Sequence, residues 1–114
     1  MNTICHWELQ TKDHKRAKSF YEALFGWKLE YISEMNYMMV DTGGQPGGGI
    51  NIVDTMKPSG TVLYVEVEDI EAKLAKASQL GGKVIAPKTA IPGIGFFGMF
   101  EDPDGNTMGV FTGK

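Results

Sequence analysis

Three polar residues near the start of the chain stand at alternating positions: His6, Glu8 and Gln10. Successive side chains of a β-strand point to opposite faces, so residues two apart share a face and lie ~6.6 Å from each other. An imidazole beside a carboxylate can exchange protons with a bound molecule near neutral pH. The alternative interpretation is structural, because Glu8 or a backbone carbonyl would also satisfy a histidine that takes no part in chemistry.

A second strand carries a comparable face later in the chain, formed by Val62, Tyr64 and Glu66. If Glu8 and Glu66 faced each other in a dry hollow, the pKa of one would rise and the two would form an acid/base pair. Two solvated or lysine-paired carboxylates at a rim are the commoner arrangement. A new metal site built from His6, Glu8 and Glu66 is a minor alternative.

The elements that must position these residues occur twice in the same order. Each half begins with a strand, and then an aspartate, Asp13 or Asp69, stands where the N-cap of a helix belongs. Gly26 and Gly81 suit the left-handed position that ends a helix. Shorter strands are predicted after each helix: Trp27–Ile32, Tyr37–Thr42 and Gly49–Val53 in the first half, and Lys83–Ala86, Phe97–Glu101 and Thr107–Phe111 in the second.

This order predicts an α+β fold of two βαβββ modules in one domain over residues 1–114, the first module covering about 1–56 and the second about 57–114. Apolar residues at spacings of three and four predict the buried face of each helix. These stripes are Ala17, Phe20, Tyr21, Leu24 and Phe25 in the first helix, and Ile70, Leu74, Ala77 and Leu80 in the second. The other face of each sheet would then be open, and two such sheets edge to edge would form a cup suited to a ligand.

Composition narrows the class of protein. The chain has 114 residues, of which 42% are hydrophobic and 22% charged, as in one globular domain. No apolar run approaches the ~20 residues of a membrane helix, and no signal-peptide pattern begins the sequence, so we expect a cytoplasmic protein without a membrane partner. Cys5 is the sole cysteine, which excludes an intrachain disulfide and a CxxC-type zinc site. Arg16 is the sole arginine and the net charge is −3, which disfavours nucleic acid as a partner.

Several segments resemble the vicinal oxygen chelate superfamily, which includes glyoxalase I, extradiol dioxygenases, bleomycin-resistance proteins and fosfomycin-resistance enzymes. The segments run from Asp13 to Trp27 around the first helix, from Leu80 to Val84 after the second, and from Glu101 to Asn106 before the last strand. They recur in order over nearly the whole chain. The resemblance implies paired βαβββ modules that enclose a cup, and it implies a homodimer, because single-chain members of this length often dimerise.

The resemblance also implies where a divalent metal would be held, with ligands on the first and last strands of each module. His6 matches the first-strand ligand. Val62 and Gly109 fall on two other ligand positions and carry no donor atom, and the fourth position lies within Gly49–Ile52, which offers glycine or Asn51. One histidine does not hold nickel or zinc tightly, since such sites need three or four donors. We therefore expect no cofactor and no tightly bound metal.

The sequence thus predicts a glyoxalase-like protein that binds a small organic molecule. Any catalysis would be acid/base work of the isomerase or lyase type by Glu8, Glu66 or His6. The predicted substrate-binding residues are Gln10, Asn51, Tyr64, Phe97 and Phe111. Two alternatives stay open: a binding protein that sequesters a drug or metabolite, as the bleomycin-resistance members do, and a metal-dependent lyase similar to lactoylglutathione lyase with substituted ligands.

Overall fold

A computed structural model describes residues 1–57 and 60–113 of the chain. The helices and strands within these residues are β1 (Ile4–Thr11), α1 (His14–Phe25), β2 (Lys28–Ile32), β3 (Tyr37–Asp41), β4 (Gly47–Ile52), β5 (Val62–Glu66), α2 (Ile70–Gln79), β6 (Lys83–Ile91), β7 (Gly95–Glu101) and β8 (Thr107–Thr112). The chain divides into two compact units, called here the first module (His6–Thr61) and the second module (Met1–Cys5 with Val62–Lys114). The predicted α+β class and the repeated βαβββ order are confirmed.

The first module is a mixed sheet with the strand order β2-β3-β4-β1. β1 and β4 run parallel, which places Glu8 opposite Gly49, while β2, β3 and β4 pair antiparallel. The indole of Trp7 lies over Gly48, where a Cβ atom would collide with it. The core on the helix side of this sheet consists of Leu29, Met38, Val40 and Ile50, with Trp7, Leu9, Ala17, Tyr21, Trp27 and Ile52 packed against it.

The second module repeats this arrangement with the order β5-β8-β7-β6. β5 and β8 run parallel, which places Tyr64 opposite Gly109, while β6, β7 and β8 pair antiparallel. Its core consists of Val67, Ile70, Leu74 and Val110, with Val65, Phe96 and Phe100 packed against it. No helix within the described residues is long and apolar enough to cross a membrane.

Both helices begin and end where the sequence predicts. The Asp13 carboxylate accepts hydrogen bonds from the backbone N–H groups of Lys15 and Arg16, at 3.1 and 3.2 Å, and the Asp69 carboxylate accepts one from Ala72. These carboxylates satisfy N–H groups that lack a partner in the first turn. Gly26 ends α1 at a φ of 72°. Gly81 follows α2 at a φ of 100°, a left-handed conformation that costs glycine little.

The predicted apolar stripes are only partly buried, which corrects the expectation for both helices. In α1, Phe20, Leu24 and Phe25 are each more than half exposed. In α2, Ile70 and Leu74 are buried, but Leu80 at its C-cap is 70% exposed. Spacings of three and four mark a stripe that is wider than the line along which a helix touches a sheet. Side chains at the edges of that stripe therefore remain in solvent.

The same substitution at two positions of α2 tests this difference in burial. Leu74→Ala should lower the free energy of unfolding by about 2–5 kcal/mol, because it removes buried methylene groups and leaves a cavity in the core of the second module. Leu80→Ala should change it by less than about 1 kcal/mol, because most of that side chain is already in solvent. Urea unfolding followed by circular dichroism measures both values. Equal losses in the two variants would contradict the assignment of Leu74 to the core.

Candidate functional site

The side of the first module's sheet that faces away from α1 carries a group of linked polar residues, called here the polar cluster: His6, Glu8, Tyr37 and Asn51. They lie on β1, β3 and β4. The Tyr37 hydroxyl lies 2.8 Å from His6 Nε2 and donates to Glu8 Oε2 at 3.0 Å. Asn51 Nδ2 donates to Glu8 Oε1 at 3.0 Å. The carboxylate of Glu8 therefore accepts a hydrogen bond on each of its oxygens.

The single hydroxyl proton of Tyr37 determines the direction of this chain. Because Tyr37 donates to Glu8, its oxygen must accept from His6, and Nε2 of His6 then carries the proton. In a neutral imidazole the other nitrogen, Nδ1, is the accepting one. The chain therefore runs from His6 through Tyr37 to Glu8 with every donor aimed in the same direction.

Burial favours the neutral form of this imidazole. Desolvation lowers the pKa of His6 below the ordinary histidine value, and the charge of Glu8 opposes that shift with a smaller effect. A neutral histidine has a lone pair with which to accept a proton, which a protonated one lacks. Burial therefore favours the form of His6 that has an accepting lone pair.

Glycines explain how a tyrosine from β3 reaches β1 across β4. A Cβ atom at Gly49 would collide with the ring and hydroxyl of Tyr37, so the missing side chain is what lets the ring lie over this strand. Tyr37 is buried as a result, and its ring stacks with that of His6 at 6.5 Å between centroids. We predicted Tyr37 only as the start of a strand. Gly47 and Gly49, two apart on the polar face of β4, were the available signal for a side chain crossing there.

The predicted binding residue Gln10 lies on the same face of β1, and its side chain accepts a hydrogen bond from the backbone. Its Oε1 accepts a hydrogen bond at 2.9 Å from the N–H of Lys57. A Cβ atom at Gly60 would lie 2.6 Å from its side-chain carbon Cδ. The contacts therefore show Gln10 holding the segment that follows β4, and its role in binding a substrate stays a prediction.

The corresponding face of the second module is aromatic. The ring of Tyr64 covers Gly109, and Phe97 lies directly across from Phe111 on β7 and β8. Tyr64 and Val62 are buried, and the two phenylalanines are half-buried. These predicted binding residues thus occupy one sheet face, as a wall for an apolar or aromatic molecule requires.

Glu66, the second predicted carboxylate, ends β5 in this module and is half-buried. Its backbone N–H donates to the Thr3 carbonyl, and its carbonyl accepts from the N–H of Asn2. Burial raises the pKa of the Cys5 thiol, and the charge of Glu66 raises it further. Cys5 is therefore held as a thiol and is not prepared as a nucleophile. An acid/base pairing of Glu66 with Glu8 stays a prediction.

The strand registers show which residue of the second module corresponds to each residue of the polar cluster. Glu8 lies opposite Gly49 in the parallel pair of the first module, and Tyr64 lies opposite Gly109 in that of the second. By the same alignment, His6 corresponds to Val62, Tyr37 to Phe97, and Asn51 to Phe111. Every member of the polar cluster is thus replaced by an apolar or aromatic residue in the second module.

The donor set does not suit a divalent metal at the positions that the resemblance implied. Val62 has no donor atom, and the space that a side chain at Gly109 would need is filled by the Tyr64 ring. Among residues 1–57 and 60–113, no three His, Cys, Asp or Glu side chains come together as a possible metal site. Zinc and nickel sites need three or four such donors.

Comparison with known protein families assigns the chain to one of them. The model of the glyoxalase/bleomycin resistance protein/dioxygenase superfamily matches residues 3–110. The chain belongs to this superfamily. It is 34% identical over 107 residues to CFP32 of Mycobacterium tuberculosis, a proposed glyoxylase, and the match covers 90% of this chain and 41% of that protein. The chain therefore spans about two fifths of the length of this curated relative.

Solved structures of other proteins share the fold of this chain. A hypothetical protein of Bacillus halodurans C-125 has a TM-score of 0.75 at 13% identity, with 99% of this chain and 95% of that chain covered. The Mn(II)-bound glyoxalase of Novosphingobium aromaticivorans has a TM-score of 0.72 at 21% identity, with 97% of this chain and 38% of that chain covered. Identities this low support the common fold and leave the chemistry to this chain's own residues.

Adding one methyl group at Gly49 tests the crossing of Tyr37. Gly49→Ala should lower the free energy of unfolding by about 1–3 kcal/mol, because the new Cβ atom collides with the Tyr37 ring and the backbone or ring must shift. Gly47→Ala is the matched control, because its Cβ atom would meet the Val40 carbonyl oxygen at an ordinary 3.5 Å. Chemical denaturation measures both. A Gly49→Ala variant as stable as Gly47→Ala would be inconsistent with the described position of Tyr37.

The lowered pKa of His6 predicts a pH-dependent part of the stability. Because the unfolded chain binds a proton at this residue more readily than the folded chain, stability is lost as the pH falls below about 6.5 towards the folded-state pKa. His6→Gln removes the titrating group. The stability of the natural protein relative to His6→Gln should therefore be greater at pH 7.5 than at pH 5.5, as measured by urea unfolding. Parallel profiles of the two proteins would contradict the prediction.

Proposed function

We propose that this member of the glyoxalase superfamily binds a small organic molecule against the polar cluster and catalyses acid/base chemistry on it, of the isomerase or lyase type, without a tightly held metal. The observation that carries the proposal is the hydrogen-bonded chain from His6 through Tyr37 to Glu8. Proton transfer by positioned side chains of these types contributes typically ~10²–10⁴-fold to a reaction rate.

The direction of the chain supports a specific proton path. When Nδ1 of His6 accepts a proton from the substrate, Nε2 can pass its own proton to the Tyr37 oxygen. Tyr37 can then pass its hydroxyl proton to Glu8 Oε2. The net result is a neutral imidazole, a neutral phenol and a neutral Glu8 carboxylic acid, which can return the proton to a different atom of the substrate. Removal at one atom and return at another is what an isomerisation requires.

Asn51 supports the same proposal through its hydrogen bond to Glu8 Oε1. This bond orients the carboxylate whether Oε2 carries a proton or not. Orientation of the reacting group before the substrate arrives reduces the entropy that the transition state must lose. The residues proposed to act are therefore His6, Tyr37 and Glu8, with Asn51 as a positioning residue.

The proposal includes no tightly held metal because two of the implied ligand positions lack donor atoms. Of the ligand positions that the resemblance implied, His6 is a strong metal donor, whereas Val62 and Gly109 have no donor atom. His6 Nε2 is in addition directed at the Tyr37 hydroxyl. The small molecule and a second copy of the chain are the proposed partners.

The aromatic face of the second module favours a second candidate function, which is sequestration of a drug or metabolite without turnover. Phe97 and Phe111 pair across two strands and offer ring surface to a flat ligand. Such a protein would be stabilised by the ligand and would release it unchanged.

A thermal-shift screen of glutathione conjugates and aromatic drugs, followed by product analysis of each hit, tests the proposal. Glu8→Gln should leave binding of a hit within about threefold and lower its turnover by about 10²-fold or more, because an amide cannot hold the proton. Glu30→Gln, an exposed change of the same type on β2, is the matched control and should leave turnover unchanged.

The outcomes separate the candidate functions. A hit that stabilises the natural protein and gives no product indicates sequestration. Stoichiometric nickel or zinc after purification without chelator, together with turnover that EDTA abolishes, indicates the metal-dependent lyase and overturns the proposal. Turnover that survives Glu8→Gln contradicts the role assigned to the polar cluster.

A further inference from the structure

The second module contains a cavity on the helix side of its sheet, called here the α2 cavity. Its volume is about 400 Å³, within the ~300–1,000 Å³ of small-molecule sites. Val65, Phe100 and Val110 of the sheet form its floor, and Ala77 and Leu80 of α2 form its upper wall. Side chains alternate along β5, so Val65 and the buried Tyr64 point to opposite faces. The α2 cavity is therefore separate from the aromatic face of this module.

A comparison of the two helices shows which residue differs at the α2 cavity. At the same distance from the N-cap of each helix, α1 carries Tyr21 and α2 carries Ala77. Tyr21 stacks on Trp27 with 5.6 Å between ring centroids and packs against the core. The corresponding hollow of the first module, about 300 Å³, is lined by that tyrosine and by Phe20. In the second module the small alanine stands in place of that tyrosine, and the cavity is larger, at about 400 Å³.

The rim of the α2 cavity is cationic. Lys73 and Lys76 line it from α2, and neither forms an ion pair with another described residue. Asp102 also lines it, but its oxygens accept hydrogen bonds from the N–H of Asp104 and from the N–H and Nδ2 of Asn106, at 2.8–2.9 Å. These bonds lower the pKa of Asp102. They also hold its carboxylate within the turn that leads to Asn106. The three ionised groups leave the rim with a net charge of +1.

We propose that the α2 cavity binds an alkyl carboxylate of medium chain length. The alkyl chain would lie on Val65, Phe100 and Val110, and the carboxylate would lie between the ammonium groups of Lys73 and Lys76. An apolar floor with charge confined to the rim matches a molecule that is apolar along its length and charged at one end. Because the net charge of the rim is positive, it attracts an anionic head group and gives no such attraction to an uncharged one.

Titration of the isotope-labelled full chain with sodium octanoate, followed by amide chemical shifts, tests this site. The shifts should concentrate on α2 and on the strands beneath it, at residues such as Val65, Ala77 and Val110. Lengthening the ligand from hexanoate to octanoate should tighten binding by up to about fourfold per methylene that enters the cavity. The uncharged 1-octanol should bind at least fivefold more weakly than octanoate, because it gains no attraction from the two ammonium groups.

Variants separate the cavity from non-specific binding. Ala77→Phe should abolish octanoate binding, because its ring would occupy the space between α2 and the sheet. Ala77→Leu is a second variant with a smaller side chain and a strong helix former, for the case in which the larger ring prevents folding. Lys73→Gln with Lys76→Gln should weaken octanoate at least fivefold and leave 1-octanol unchanged. Lys12→Gln with Lys15→Gln removes the same charge from the first module and should change neither.

Each contrary result is decisive. Shifts that concentrate on the first module, or octanoate binding that survives both Ala77 variants, would place the ligand elsewhere and overturn the proposal. Binding of 1-octanol as tight as that of octanoate would overturn the assignment of an anionic ligand. No shift at millimolar octanoate would show that the cavity takes no alkyl carboxylate.

Discussion

The polar cluster depends on one steric condition, the missing side chain at Gly49. Neighbouring strands lie about 4.8 Å apart, so a residue on β3 ordinarily contacts β4 and does not reach the strand beyond it. With no Cβ atom in its path, the Tyr37 ring lies over β4 and places its hydroxyl between His6 and Glu8. The hydrogen-bonded chain and the burial of the tyrosine both follow from that crossing.

Burial favours the neutral form of the histidine in this cluster. Placing an imidazole in a low-dielectric environment disfavours its charged form, and for His6 this effect outweighs the attraction of the nearby Glu8 carboxylate. Two hydrogen bonds, from Tyr37 and Asn51, at the same time reach the carboxylate. An imidazole and an oriented carboxylate are thus joined by one hydroxyl group, which is the contact on which the proposed proton path depends.

The two modules share a backbone plan and differ in chemistry on both faces. On one face, an aromatic ring covers a glycine in each module, Tyr37 over Gly49 and Tyr64 over Gly109, but the surrounding residues are polar in the first and aromatic in the second. On the helix side, the hollow of the first module is lined by Phe20 and Tyr21, whereas the α2 cavity of the second module has Lys76 and Ala77 at the corresponding positions. A duplicated fold therefore offers two distinct kinds of surface from one topology.

Local spacing in the sequence determined the order of elements, the Asp13 and Asp69 caps and the alternating face of β1, because each depends on residues a few positions apart. The resemblance of its motifs identified the family for the same reason. Only the tertiary structure decided that Tyr37 joins His6 to Glu8, because that contact depends on the register of three strands distant in sequence. It also decided which apolar helix residues remain in solvent, such as Leu80, since helical periodicity defines a stripe and the sheet beneath it defines how much of that stripe is covered.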